Sequence, residues 1–221
     1  MYEERASALP HVVAWRSRVP PGTPPTRILP DGCLDIIVSD GAVFVAGPDT
    51  RTEVATAPPG SSFVALRFAD GTGPGVLGVP ADALVDQEVP LDQLWPAAEV
   101  RRLAEAPDPL AALEAAALRR WHDPDRAMVA LAEGARSGRP VGTIADACGL
   151  SARQLQRRCR SAFGYGPKTL NRILRLQRAV ALARGGRPFA EVSVLAGYAD
   201  QAHLSREVKA LAGVPLGVLI Q

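Results

Sequence analysis

Apolar positions along this chain change rhythm near residue 96 and again near residue 126. Through the first 95 residues they come in short β-branched runs, at 33–38, 43–46, 63–68 and 76–79. Clusters rich in Pro, Gly and Asp separate the runs, at 20–25, 30–32, 40–41, 47–49, 58–61 and 70–75. Short runs bounded by turn formers predict strands. Strands at this spacing predict a small β-rich domain, a sandwich or a partial barrel of the cupin kind. Residues 97–122 then become rich in alanine and leucine with charges interleaved, which predicts two helices broken at Pro107-Asp108-Pro109. Leu110, Leu113, Ala117 and Leu118 form an apolar stripe at helical spacing. It either packs on its own domain or forms a dimer seam.

From Arg126 onward the period is helical throughout. Helices are expected over 127–136, over 144–148 with Thr143 as its cap, after Ser151, over 168–184, and near 189–196 and 201–211. The fold class expected is therefore α+β. Three regions follow: a β-rich, effector-sensing domain over 1–96, a helical linker with dimerisation helices over 97–125, and an all-α domain over 126–221.

The all-α region repeats itself. Residues 144–167 read IADACGLSARQLQRRCRSAFGYGP and residues 192–216 read VSVLAGYADQAHLSREVKALAGVPL. Gly149 matches Gly197 at 48 positions, and Leu155, Arg157 and Gly164 match Leu204, Arg206 and Gly213 at 49. Each copy is a short apolar helix, a glycine turn and a longer polar helix, the sequence form of a helix-turn-helix. In the first long helix Leu155, Cys159 and Ala162 share one face, leaving Arg153, Gln156, Arg157 and Arg160 outside. In the second, Leu204, Val208 and Leu211 face inward and Ala202, Ser205, Arg206 and Lys209 outward, with Gln201 and His203 in its first turn. Arginine binds guanine and glutamine binds adenine through paired hydrogen bonds, so these are candidate base readers. Lys168, Arg172, Arg175 and Arg178 on the connecting helix are candidate phosphate contacts.

Charge sharpens this reading. Net charge is +2 over 221 residues, but residues 1–125 hold 10 Lys/Arg against 18 Asp/Glu, whereas residues 126–221 hold 15 against 5. A basic half joined to an acidic one points to a polyanionic partner for the basic half alone. No apolar run is long enough to cross a membrane. The acidic N-terminus has no secretory pattern, and Cys33, Cys148 and Cys159 form no CxxC pair, so a reducing cytoplasm is expected. His11, His122 and His203 form no sequence cluster, so neither a metal nor another cofactor is expected. The sequence contains no GxSxG or P-loop motif, and an enzyme is not expected.

LAGYADQAHLSREVKALAG and GLSARQLQRRCRSAFGYGP, the latter followed by RILRLQRA, resemble the paired motifs of the AraC/XylS family of bacterial transcription regulators. The resemblance implies promoter DNA as partner, RNA polymerase as a second, and residence on the nucleoid when bound. It carries base reading to Arg153, Gln156 and Arg157, and to Gln201, Ala202, Ser205 and Arg206. Cys159 and Val208 stand where the family usually has phenylalanine, so compensating packing is expected. ILPDGCLDIIVSDG and GVLGVPADALVDQEVPLDQLW are similar to an N-terminal domain of unassigned role within that family. The resemblance implies a half that senses a small molecule or forms a homodimer; an enzyme tethered to DNA is the alternative. Trp15, Cys33 and Trp95 are the candidate pocket residues. Cys33 also reads as a small buried residue after an Asp31-Gly32 turn.

Overall fold

The computed structural model describes residues 2–220. Eight strands are assigned among them: β1 (Tyr2–Ala6), β2 (Val12–Arg18), β3 (Thr26–Ile28), β4 (Leu34–Ser39), β5 (Ala42–Ala46), β6 (Glu53–Ala55), β7 (Ser62–Phe68) and β8 (Glu88–Pro90). Six of them make one antiparallel sheet in the order β1-β2-β7-β4-β5-β8, while β3 and β6 pair as a separate two-stranded flap. The sheet is thus a partial enclosure with edges at β1 and β8. Strand β1, YEERA, is exposed along its length. Charged side chains on both faces hide such an edge strand from hydropathy patterns and also discourage edge-to-edge association.

Alternation gives the sheet two unlike faces. Leu34, Ile36 and Val38 of β4, Val43 and Val45 of β5, Leu66 and Phe68 of β7, and Val12 and Ala14 of β2 point into one core. Five short helical segments cover that face: α1 (Gly73–Leu77), α2 (Ala97–Ala104), α3 (Pro109–Arg119), and 3-10 turns at 81–83 and 91–93. The other face carries Trp15, Asp35, Ile37, Phe44, Phe63 and Arg67. In the ladders Asp35 sits opposite Arg67 and Ile37 opposite Phe44, as side chains sharing a face must.

Two expectations need correction here. Residues 76–79 are not a strand: Val76 and Leu77 end α1, which opens on Pro74 and closes on Gly78. Nor are residues 97–119 a linker. Val100 and Leu103 of α2, and Leu110, Leu113, Ala116 and Ala117 of α3, are buried in the N-terminal core. The side of the sheet that carries these apolar residues has to be covered, and these two helices cover it. Of the stripe, Leu118 alone is outside, at 56% exposure.

Seven helices follow: α4 (Arg126–Arg136), α5 (Val141–Ala147), α6 (Ala152–Phe163), α7 (Pro167–Arg184), α8 (Phe189–Leu195), α9 (Gln201–Ala212) and α10 (Leu216–Leu219). They enclose two separate cores. Leu170, Ile173 and Leu174 of α7 pack with α4, α5 and α6. Leu176, Ala179, Val180 and Ala183 of the same helix pack with α8, α9 and α10. At 18 residues, α7 is about 27 Å long. Cys159 and Val208, small as they are, are fully buried. Helix α5 starts two residues before Thr143, with Pro140 as its cap.

Candidate nucleic-acid interface

Each helix-turn-helix owes its exposed face to a well-held second helix. Ser151 caps α6 by accepting from Gln154 N, and the Gln154 side chain accepts from Ser151 N in return, a reciprocal capping box. Asp200 caps α9 by accepting from His203 N at 2.6 Å. Leu155 and Cys159 hold α6 down, and Leu204 and Val208 hold α9. Rotation follows from those anchors. On α6 Arg153, Gln156, Arg157 and Arg160 are exposed, and on α9 so are Gln201, Ala202, Ser205, Arg206 and Lys209. Nine of the ten candidate base readers therefore stand in solvent on the two second helices.

His203 is the exception. Its Nδ1 accepts from Ala199 N at 3.2 Å, and its ring meets Tyr198 edge-on at 5.4 Å. It is bound into its own turn. The phosphate candidates divide likewise. Lys168 is exposed at the start of α7. Arg172 forms a two-pronged pair with Glu207 of α9, at 2.8 and 3.3 Å. Arg175 reaches the same carboxylate at 3.5 Å, donates to Gly197 O at 3.3 Å and lies 4.3 Å from the Tyr198 ring centre. Arg178 is half-buried against Gly138. Arg172 and Arg175 thus join α7 to α9 and to the turn before it. The Arg172 guanidinium also holds the Glu207 carboxyl below its ordinary range.

Arg158 escapes the pattern-based selection. It lies between the buried and exposed faces of α6 and donates to Asp125, through Nε at 2.5 Å and through Nη2. Asp125 also caps α4 by accepting from Ala127 N. One carboxylate thereby joins α4, the first helix of this domain, to α6. The Arg158-to-Asp125 separation of 33 residues left no local signal.

The acidic half docks on both motifs. At the end of α6, a side chain on Gly164 would place its Cβ 2.5 Å from Val85 Cγ2 and 2.7 Å from Pro48 Cγ. Asp70, after β7, pairs with Arg136 of α4 and with His11 Nδ1 at 3.0 Å. His11, Asp70 and Glu133 bring ligand-type atoms within 4.8 Å of one another. No sequence cluster announces this group, and both Asp70 oxygens already have partners. Toward the second motif, Gln177 Nε2 donates to Pro30 O at 2.6 Å, and Thr52 donates to Leu211 O through N at 3.1 Å and Oγ1 at 3.0 Å. Leu29, beside the flap, packs against the second helical core.

Beneath that flap lies a cavity of about 500 Å³. Trp15 and Cys33 line it; Trp95 does not. Trp95 is buried in the helical side of the N-terminal core, with the Arg120 guanidinium 4.0 Å from its ring centre. Cys33 follows an Asx turn in which Asp31 Oδ1 accepts from Cys33 N at 2.9 Å. Burial, then Asp31 and Asp35, push its thiol well above the ordinary value, so it is held protonated.

Two paired helix-turn-helix units on a basic segment define a DNA-binding domain. Residues 144–221 match the family described as a helix-turn-helix domain, and residues 9–90 match a domain of unknown function, DUF6597. The C-terminal domain belongs to the AraC-type helix-turn-helix family, and the N-terminal domain to DUF6597. No curated protein matches the chain in sequence. Solved structures with similarity include a xylose-binding transcription activator, XylR, at 20% identity and a TM-score of 0.37. That alignment covers 42% of this chain, which spans 25% of the activator's length. Apo ToxT K231A from Vibrio cholerae aligns at 9% identity and a TM-score of 0.47, over 97% of this chain and 98% of its own. ToxT from Vibrio cholerae bound to an unsaturated fatty acid aligns at 10% and 0.47, over 99% and 97%. Among the described residues no helix is long and apolar enough to cross a membrane.

Proposed function

We propose that this protein is a cytoplasmic, sequence-specific regulator of transcription, in which α6 and α9 read bases in adjacent major grooves and the N-terminal half senses a small molecule. The observation carrying the reading is the pair of matched second helices, each anchored by its cap and its leucine. Both present Arg and Gln outward from a segment with 15 basic and 5 acidic residues. Arg153, Gln156, Arg157 and Arg160 serve the first groove; Gln201, Ala202, Ser205, Arg206 and Lys209 serve the second. Ala202 has no hydrogen-bonding group, so it contributes apolar contact, as to a thymine methyl. Lys168 contributes phosphate contact, which fixes position without reading sequence.

Sensing is supported by the cavity and by the flap above it. Ile28 and Glu53 of the flap face the cavity, while their neighbours Leu29 and Thr52 reach the second helical core and the end of α9. A ligand that orders the flap acts on α9 through those two residues. Selecting genomic fragments with the purified full chain, then measuring affinity for a selected fragment and for random DNA, tests the regulator reading. Arg157→Ala should weaken the selected fragment by at least ten-fold more than random DNA. Equal losses on both would overturn base reading by that helix.

A further inference from the structure

The cavity under the flap has a definite chemistry. Its aromatic walls are Trp15 and Tyr2, with ring centres 5.9 Å apart, together with Phe44 and Phe63. Six carboxylates line it, Asp31, Asp35, Asp49, Glu53, Asp86 and Glu88, against the single guanidinium of Arg67. That guanidinium is already shared, with Nε 3.3 Å from Asp35 and 3.7 Å from Asp31, and it lies 5.8 Å from the Trp15 ring centre. Asp35 takes a further hydrogen bond from Trp15 Nε1 at 2.6 Å. The one internal cation is thus spent on two of the six acids.

A space of this size suits a drug-sized molecule. Ring faces carry negative quadrupole and attract a cation within about 6 Å, most strongly when water is excluded. Carboxylates without a cation nearby add to the same preference. Burial, then Glu53, lifts Asp49 to about 7, as for a carboxyl with no counter-charge, while burial lifts Asp35 to about 6 against the opposing pull of Arg67. An anionic ligand would have to displace Asp31 and Asp35 from Arg67 while facing the remaining acids.

We propose that this cavity is the binding site for an organic cation: an amine or quaternary ammonium on a compact apolar or aromatic body. The apolar body lies against Trp15, Phe44 and Phe63, and the charged head faces Asp49 and Glu53. The inference rests on the reading of the N-terminal half as a sensor, and it commits that reading to one ligand class.

Three soluble probes share a body and differ in head group: 4-phenylbutylamine, 4-phenylbutan-1-ol and 4-phenylbutyrate. Titration calorimetry on the full chain at pH 8 should show the amine binding at least ten-fold tighter than the alcohol, and the acid weakest. Asp49→Asn should weaken the amine several-fold and leave the alcohol unchanged. Glu53→Gln, at an exposed position, gives the same comparison where Asp49→Asn perturbs folding. Trp15→Ala should weaken amine and alcohol together. Equal binding of amine and alcohol, preference for the acid, or no binding by any probe would overturn the proposal. Operator affinity without any probe is measured on the same preparation. Amine binding without selective DNA binding would leave the cation site standing and sink the regulator reading. Selective DNA binding with no amine preference would do the reverse.

Discussion

The two helix-turn-helix copies are built alike but held differently. In each, a glycine in the left-handed region closes the second helix: Gly164 at φ +83° and Gly213 at φ +71°. Around Gly213 there is open space; around Gly164 lie Val85, Pro48 and the Ala81 carbonyl. The first copy is clamped to the acidic domain through the end of α6, and α4 beside it through the Arg136–Asp70 pair. The second is held by the thinner link of Leu29, Pro30 and Thr52. The first copy also shows three arginines on its reading face, where the second shows Arg206 and Lys209. A shared motif is therefore held in two ways: the first copy carries more exposed arginine and is packed against the acidic domain, and the second lies beside the flap.

The comparison breaks most visibly in DNA binding. Arg153→Ala with Arg157→Ala should cost about 2–6 kcal/mol on a selected operator, from roughly 1–3 kcal/mol per paired base contact. Ser205→Ala with Arg206→Ala should cost less. Fluorescence anisotropy on operator and random duplexes checks this, and a larger loss from the second pair would invert the assignment.

Next in size are the matched glycines. Gly213→Ala adds a Cβ in a left-handed conformation and should lower stability by about 1 kcal/mol. Gly164→Ala adds the same strain plus overpacking against Pro48 and Val85, for a total of roughly 2–4 kcal/mol. Urea denaturation of the two variants separates them. Equal losses would show that the clamp on the first copy is loose.

The thin link comes third. Thr52→Val removes the hydroxyl that donates to Leu211 O and should cost about 0.5–1.5 kcal/mol. Hydrogen exchange should show faster opening of α9 amides with α6 unchanged; faster exchange in α6 as well would deny that the two copies are held separately.

A pH dependence tests the segment between the two links. Asp49 sits between Pro48, which touches the first copy, and Thr52, which touches the second. Its folded-state value of about 7 lies above the ordinary 3.8, raised by burial and by Glu53, Asp31, Asp86 and Asp35. The folded state therefore holds this proton more tightly than the unfolded one. Its contribution is present near pH 4 and is lost as pH rises through about 7. Thermal melts from pH 4 to 8 should show the wild type losing stability relative to Asp49→Asn across that window. Parallel curves would assign Asp49 an ordinary acidity.

How much of this was legible beforehand varies with sequence distance. Both motifs, the capping residue Ser151, and the outward faces of α6 and α9 follow from spacing within a dozen residues. The strands at 34–39 and 62–68 were legible because one face of each is apolar. Strand β1 was not, since all five of its residues are exposed. For Arg172 and Arg175 the pairing with Glu207, 35 and 32 positions away, left no local signal. Trp95 and Trp15 are indistinguishable by composition; one meets Arg120 in a core and the other Asp35 in a cavity.

The sequence by itself determined the α+β class, the doubled helix-turn-helix, its exposed side chains and the split of charge between halves. These are properties of local period and residue type, and helix geometry converts them directly into faces. Only the tertiary structure decided that residues 97–119 close the N-terminal core, that Asp31, Asp35 and Arg67 meet under a flap, and that the flap touches α9. Such contacts join positions far apart in the chain, and local patterning carries no record of which distant groups will meet. Packing selects them, because each half has an apolar face it has to cover and a limited set of surfaces with which to cover it.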